Sequence, residues 1–201
     1  MSVDAAAFER CIAEGGVALF GADTVYGLAC DPQSPAAVAR LYELKGRPAQ
    51  QPAAVMFFSL EHALDALPEL GPGTRALLAR LLPGPVTVLV DNPAALYPLA
   101  CPGVALLGVR VPAGTGLEAV RVPVLQSSAN LSGGADPRTL ADVPASIRDG
   151  ADLVLDAGEL PGIASTIVDL SRYEEHGVWE IRREGALRAE QIAQIVAAAR
   201  S

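Results

Sequence analysis

The stretch Ser34-Pro-Ala-Ala-Val-Ala-Arg-Leu-Tyr-Glu-Leu-Lys-Gly-Arg-Pro48 leads from a predicted helix into a short basic loop. Serine followed by proline is typical of a helix start, and Val38, Leu41 and Tyr42 fall on one face of that helix. Beyond the loop, the apolar run 53–58 indicates a buried strand. A helix joined to a strand by a short loop is the building unit of proteins that mix both elements.

The same alternation continues in both directions and predicts an α/β fold of the α+β type, without a linker or an internal repeat. The predicted strands are 17–20, 53–58, 86–90, 104–111, 122–126, 153–155, 164–170 and 178–182. The predicted helices are 4–14, the one from Ser34 to the basic loop, one that begins at Ser59, and 74–82, 140–148 and 188–200. The strands 164–170 and 178–182 look like a hairpin, so we expect one three-layer domain over residues 1–201 with a mixed sheet.

The totals of the chain exclude several classes of protein. Of its 201 residues, 51% are hydrophobic and 19% are charged, as in a compact globular domain. The net charge of −8 argues against a broad electrostatic grip on nucleic acid, so binding of double-stranded RNA is not expected. No apolar stretch approaches the ~20 residues of a membrane span, and residues 1–4 do not resemble a signal peptide. We therefore expect a cytoplasmic protein that does not enter a membrane.

Common metal and nucleotide motifs are missing from the sequence. The three cysteines, Cys11, Cys30 and Cys101, are widely spaced and fit reduced thiols better than a disulfide scaffold. Both histidines are far from any cysteine pair, so no zinc ligand set is expected. There is no Walker A loop, no Gly-x-Gly-x-x-Gly and no Gly-x-Ser-x-Gly motif. A nucleotide would have to bind by another geometry.

The basic loop holds the only lysine of the chain, Lys45, two residues before Arg47. A lysine offers a mobile point charge and an arginine a rigid fork of donors, so the pair suits a polyphosphate. The alternative is an ordinary pair of surface cations.

Three further polar segments are candidates for a site. The stretch 127–134 follows an apolar strand and could form a nest for an oxyanion, or only a turn before a helix. The loop 21–27 is either a rim that orients a substrate or a plain connection with Tyr26 half buried. Ser165 lies in an apolar run, and Arg110 ends an apolar strand, where a charge needs a ligand or a salt bridge.

Seven runs together, in the same order, resemble the YrdC family, the threonylcarbamoyl-AMP synthases. These runs are 23–29, 42–48, 82–88, 108–112, 127–133, 165–169 and 182–186. They span nearly the whole chain, which is similar to the short, single-domain members. The resemblance implies a twisted mixed sheet with helices on both sides and a concave, locally positive cleft.

The resemblance also implies a reaction and a set of site residues. ATP, L-threonine and bicarbonate would give threonylcarbamoyl-AMP and pyrophosphate with Mg²⁺, and other proteins would pass the threonylcarbamoyl group to adenosine in tRNA. The catalytic set would be Lys45, Arg47, Ser128 and Asn130. The ATP-binding residues would be Lys45, Arg47, Gln51, Asn130, Arg138 and Arg182. The threonine-binding residues would be Thr24, Tyr26, Arg110, Ser128 and Ser165, with Tyr26 closing the pocket.

The sequence departs from the family pattern at a few positions. Gly21 and Ala22 replace the usual Pro-Thr, and Gln51 and Ala53 replace a basic or polar residue and a leucine. Met56 stands where some members place a histidine toward threonine. Two alternatives therefore remain at this stage: a paralogue that adenylates another carbamate, and a non-catalytic module that binds a nucleotide or RNA.

Overall fold

The structure is a computed structural model that describes residues 4–199. Its strands are β1 (Ala18–Gly21), β2 (Tyr26–Cys30), β3 (Ala54–Met56), β4 (Val86–Asp91), β5 (Leu106–Arg110), β6 (Val124–Ser128), β7 (Leu153–Val154), β8 (Thr166–Asp169) and β9 (Glu180–Arg183). Its helices are α1 (Ala5–Ala13), α2 (Pro35–Lys45), α3 (Leu60–Ala66), α4 (Pro72–Leu81), α5 (Ala145–Gly150), α6 (Tyr173–His176) and α7 (Ala189–Ala199). A short 3-10 helix covers Leu140–Asp142.

The described strands form a single sheet in the order β7-β1-β2-β6-β3-β5-β4-β8-β9. The pairs β1–β7, β3–β5 and β4–β8 are parallel, and the other neighbours are antiparallel. The expected mixed sheet is therefore confirmed. The antiparallel pair β8–β9 confirms the predicted hairpin.

Local side-chain bonds set where the helices begin. Asp4 accepts from the backbone of Ala7 at the start of α1, and Ser34 and Ser59 do the same for α2 and α3. Helix α2 ends at Gly46, whose φ of 57° is in the left-handed region. This cap places Lys45 on the last turn of α2.

The two faces of the sheet are covered differently. Helices α2, α4 and α7 pack their apolar side chains on one face, in a core that includes Leu28, Val55 and Val88. On the other face, α1 covers only one end, where Phe8 packs edge-on against the rings of Phe20 and Phe58. Helices thus lie on both sides, as expected, and the second face stays open over the middle of the sheet.

Several predicted boundaries were wrong. The segment 21–27 was expected as a loop, but β2 begins at its second-last residue, Tyr26, and runs on to Cys30. This strand forms because β1 and β6 flank it and pair with its backbone. The predicted helix 140–148 is divided, since Pro144 separates the 3-10 helix from α5. Strand β6 runs to Ser128, two residues beyond its predicted end. The predicted last residue of the terminal helix, Arg200, and the residues 1–3 lie outside the described residues.

The structure also bears on the cysteines and on membrane-spanning helices. Cys11, Cys30 and Cys101 are all free. Within residues 4–199, no helix combines the length and the apolar character needed to cross a membrane.

Candidate functional site

A cavity of about 410 Å³ lies on the open face of the sheet. Its walls are formed by the loop after β1, the loop after α2, and the neighbouring strands β6, β3, β5, β4, β8 and β9. Six of the residues proposed from the sequence line it: Thr24, Arg47, Arg110, Ser128, Ser165 and Arg182. The fold thus gathers residues that are up to 158 positions apart in the sequence (182 − 24) around one space.

The alternation of side chains along the strands gives the cavity its floor. Ala54 on β3 and Gly108 on β5 face it, together with Leu89 on β4 and Ile167 on β8. Ala54 and Gly108 are paired directly across the β3–β5 ladder. Because both are small, they leave room above the centre of the sheet.

Arg110 is a buried cation at the end of β5, with 4% of its surface exposed. Its Nη2 lies 2.7 Å from Oδ1 of Asp23, and its Nη1 donates to Oε1 of Gln126 at 3.2 Å. Burial raises the pKa of the Asp23 carboxyl, and the guanidinium of Arg110 opposes this rise. Nε of Arg110 is buried and has no hydrogen-bond partner among the described residues. Arg110 therefore forms the expected salt bridge and lines the cavity, and its Nε is left without a hydrogen-bond partner among the described residues.

Lys45 is buried beside the end of β6, with 2% of its surface exposed. Its ammonium donates to the carbonyl oxygens of Ser128 and Asn130 and to Oδ1 of Asn130. The hydroxyl of Ser128 donates to the same Oδ1 at 2.7 Å. Burial, together with the nearby charge of Arg47, lowers the pKa of Lys45 to about 8. Lys45 and Asn130 do not line the cavity; they fix the turn that presents Ser128 to it.

Arg47 lines the cavity directly. Its Nη1 donates to Oγ of Ser127 at 2.9 Å, its Nη2 donates to the carbonyl oxygen of Pro52, and its guanidinium lies 5.5 Å from the centre of the Tyr42 ring. Its Nε is buried and lacks a partner within residues 4–199. Arg47 is therefore held in one orientation and, like Arg110, retains a spare donor.

Other residues proposed from the sequence lie away from the lining. Tyr26 is fully buried, and its hydroxyl lies 2.7 Å from Oδ1 of Asp156 and 2.9 Å from the carbonyl oxygen of Gly158. Burial, and then its bond to Asp156, raise the pKa of Tyr26 to about 12. Gln51 is exposed, and Arg138 forms an exposed ion pair with Glu159. The structure does not bring these three side chains to the cavity wall, so their roles remain predictions.

Several residues of the lining were not predicted from the sequence. They are Thr87, Gln126, Asp136 and Arg183. Thr87 is a polar residue between the apolar residues Val86 and Val88 of β4, and that signal was available in the sequence. Met56, by contrast, is fully buried among apolar side chains and does not reach the lining.

The part of the chain that the structure describes contains no group of three or more His, Cys, Asp and Glu side chains that could hold a metal ion. Asp136 is the acidic residue among those that line the cavity. A divalent cation would therefore need most of its ligands from a bound substrate.

The sequence and the fold of the chain are similar to those of known proteins. The sequence model of the family Sua5_yciO_yrdC, described as "Telomere recombination", matches residues 10–185. The chain is 29% identical over 190 residues to the threonylcarbamoyl-AMP synthase of Pyrococcus abyssi, which covers 92% of this chain and 55% of the relative. It is 30% identical over 157 residues to the threonylcarbamoyl-AMP synthase of Hahella chejuensis, which covers 76% of this chain and 85% of that relative.

A solved structure has the same fold. The crystal structure of P. abyssi Sua5 complexed with L-threonine matches with a TM-score of 0.84 at 28% identity, and the match covers 95% of this chain and 56% of that one. The chain spans about half the length of the P. abyssi relative, and also of the threonylcarbamoyl-AMP synthase of Bacillus subtilis, to which it is 28% identical. Because the family model matches most of its length, the chain belongs to the Sua5/YciO/YrdC family.

Proposed function

We propose that the chain is an L-threonylcarbamoyladenylate synthase, which makes threonylcarbamoyl-AMP and pyrophosphate from L-threonine, bicarbonate and ATP. The observation that carries the proposal is the cavity itself. It combines a buried guanidinium that has a spare donor, Arg110, with hydroxyl groups and with the further guanidinium of Arg47. The relatives named threonylcarbamoyl-AMP synthase support the same activity.

Threonine would bind where Arg110, Thr24 and Ser165 meet the cavity. The carboxylate of an amino acid needs a cation, and the guanidinium of Arg110, which lines the cavity, would supply a charge-assisted hydrogen bond. Thr24 and Ser165 both line the cavity and are almost fully buried, so bulk water competes little with a ligand for them. The complex of P. abyssi Sua5 with L-threonine supports this choice of amino acid.

The phosphates of ATP would lie against Arg47, Ser128 and Arg182. Arg47 is fixed by Ser127 and Pro52, and Arg182 is fixed by Asp169, whose carboxylate lies 2.8 Å from its Nη2. Cations held in place before the substrate arrives stabilise a developing anion without a reorganisation cost. In this arrangement Lys45 and Asn130 act by holding the turn at Ser128.

The proposed reaction does not require a covalent intermediate with the protein. The amine of threonine and bicarbonate give a carbamate and water, and a carbamate oxygen then attacks the α-phosphorus of ATP, so that pyrophosphate leaves. Negative charge grows on the phosphate oxygens, and removing one fixed donor from such an anion site costs about 2.7–4 kcal/mol. Mg²⁺ would enter the cavity bound to the phosphates of ATP and would neutralise part of their charge. Asp136 is the carboxylate that lines the cavity nearby.

The product would be used by other proteins, which pass the threonylcarbamoyl group to adenosine in tRNA. The net charge of −8 suits an enzyme that releases a small adenylate and does not hold the RNA itself. A cytoplasmic location agrees with such a role.

The test is pyrophosphate release by the full chain with ATP, Mg²⁺ and bicarbonate, screening L-threonine against L-serine and the other amino acids. We expect release that requires both threonine and bicarbonate. Arg47→Met, with an unchanged melting temperature, should lower kcat/KM by roughly 100-fold because one fixed donor to the phosphates is lost. Full activity in Arg47→Met would refute the assigned phosphate site.

Two outcomes would favour the other functions. Release with a different amino acid would indicate a paralogue with an altered acceptor pocket. ATP binding without release under any condition would indicate a non-catalytic module. Met56, one of the departures that motivates a paralogue, lies off the cavity lining, which favours threonine as the acceptor.

A further inference from the structure

The run 82–88 is one of the sequence segments shared with the family, and no residue in it has a role so far. Its Thr87 lies on β4 and lines the cavity, and only 7% of its surface is exposed. The side chain of Leu89, two residues on, faces the same cavity, as the alternation along a strand requires. A hydroxyl inside an apolar buried strand is costly unless it is hydrogen-bonded.

The partner of this hydroxyl is Ser165. Oγ1 of Thr87 lies 2.8 Å from Oγ of Ser165, and both residues are buried. The backbone of Ser165 is also fixed, because Nη2 of Arg183 donates to its carbonyl oxygen at 2.8 Å. Thr87 therefore determines which way the Ser165 hydroxyl points.

When two hydroxyl groups form one hydrogen bond with each other, one proton and several lone pairs remain. The pair can therefore still form hydrogen bonds with a third group. A group bound in the cavity is placed to be that third group, since both residues line it. The pair can both donate to and accept from a hydroxyl, which is the group that distinguishes threonine from an aliphatic amino acid of the same shape. A carboxylate, which only accepts, would use a single proton of the pair and is better matched by Arg110.

We propose that Thr87 is a positioning residue that holds the Ser165 hydroxyl toward the side-chain hydroxyl of the amino-acid substrate, and so determines the preference for threonine. This inference rests on the proposed function. A site built to hydrogen-bond a substrate hydroxyl rejects the analogue that lacks it, because buried polar groups are then left unpaired. Loss of the Thr87 hydroxyl should weaken that discrimination and leave the ATP half of the cavity unchanged.

The experiment compares L-threonine with L-2-aminobutyrate, which has the same carbon skeleton without the hydroxyl. Pyrophosphate release is measured for the full chain, Thr87→Val, Ser165→Ala and the double variant. We expect Thr87→Val to lower kcat/KM for threonine about tenfold, to change that for 2-aminobutyrate less than about twofold, and to leave the KM for ATP unchanged. The double variant should lose no more than Ser165→Ala alone, since the two residues act as one unit.

Two further variants separate positioning from general stability. Thr87→Ser keeps the hydroxyl and should keep the threonine preference. Thr74→Val removes the side-chain hydroxyl of a buried threonine on α4 that does not line the cavity, and it should change the melting temperature without changing the preference. The inference is overturned if Thr87→Val keeps the full preference, if it lowers both substrates equally, or if Thr87→Ser loses as much as Thr87→Val.

A direct binding measurement keeps this test independent of the proposed function. Calorimetric titration of threonine and 2-aminobutyrate needs no turnover. If the unmodified chain released no pyrophosphate, the proposed function would fail, and a threonine preference in binding that is lost in Thr87→Val would still support the inference. Equal binding of the two amino acids to the unmodified chain would overturn it.

Discussion

The ammonium of Lys45 can be titrated on its own, because the chain has no other lysine. Its burial beside Ser128 and Asn130 takes the charge out of water, and the oxygens that replace the water belong to carbonyl groups and not to a carboxylate. The pKa of Lys45 is therefore lowered from 10.5 to about 8. A protein labelled with ¹³C at the lysine Cε should give one lysine signal, with a titration midpoint near pH 8 in the folded state.

The size of the shift sets its effect on stability. The difference between 10.5 and about 8 corresponds to about 3 kcal/mol, since one pKa unit is about 1.4 kcal/mol. Below about pH 8 the group is protonated in both states and its contribution is constant. Between about pH 8 and 10.5 the unfolded chain binds more protons than the folded one, so this group makes the free energy of unfolding rise with pH.

Several thiol and phenol groups, Tyr26 and Cys30 most strongly, change the free energy of unfolding in the opposite direction, so a reference variant is needed. Burial raises the pKa of Tyr26 and of Cys30 to about 12, so both groups stay protonated in the fold at pH values where they ionise in the unfolded chain. Their stabilising contribution is therefore lost as pH rises. The contributions of these other groups cancel when the free energy of unfolding of Lys45→Met is subtracted from that of the unmodified chain. This difference should increase by about 2 kcal/mol from about pH 7 to about pH 10.

The measurements are the lysine signal and urea unfolding of both proteins over that pH range. A folded-state midpoint at about pH 10 or above, or a free-energy difference that does not change with pH, would refute the reasoning. A titration with ATP separates the two roles of Lys45. Direct contact with a phosphate would raise its pKa, whereas a lysine that only holds the turn should keep its midpoint near pH 8.

Two other substitutions test the packing around the cavity. Phe8→Ala removes a fully buried ring whose centroid lies 5.2 and 5.4 Å from two other aromatic rings, and urea unfolding should show a loss of about 3–5 kcal/mol. A loss below about 1 kcal/mol would contradict this aromatic core. Gly185→Ala would place a methyl group 2.1 Å from the carbonyl oxygen of Ala164, so it should cost about 1–3 kcal/mol and weaken threonine binding measured by calorimetry. Unchanged threonine binding in that variant would show that the cavity wall at Ala164 does not depend on this glycine.

The parts of the fold that could be predicted from the sequence are those that depend on nearby residues. The helix starts at Asp4, Ser34 and Ser59 were predicted correctly, because a capping side chain bonds to a backbone only three residues away. Strand β2 was missed because its pairing partners are other strands, one of them about 100 residues away in the sequence. No pattern within Tyr-Gly-Leu-Ala-Cys signals that both edges of this strand will be paired.

The difference between nearby and distant partners also explains which of the predicted site residues line the cavity. Arg110 and Ser165 could be predicted because a polar group in an apolar run needs a partner wherever the strand lies. Tyr26 was expected to close the pocket, but it is part of β2, and successive side chains of a strand point to opposite faces. A Cβ on Gly27 would lie 2.5 Å from the amide of Gln126 on the cavity side, so Tyr26 must point the other way. The face of a residue depends on whether it lies in a strand, which the sequence did not indicate here.

The charges of the chain are distributed so that the cavity attracts small anions while the outer surface repels large ones. Guanidinium groups of four arginines line the cavity, with Asp136 as the acidic residue among the described lining residues, while the chain as a whole carries −8. Salt screens exposed charges beyond about 8–10 Å, so the acidic surface has little effect on an anion that is already inside. A small polyphosphate can therefore be held by the arginines at short range. A nucleic acid duplex, which cannot enter a space of about 410 Å³, meets only the repulsive exterior.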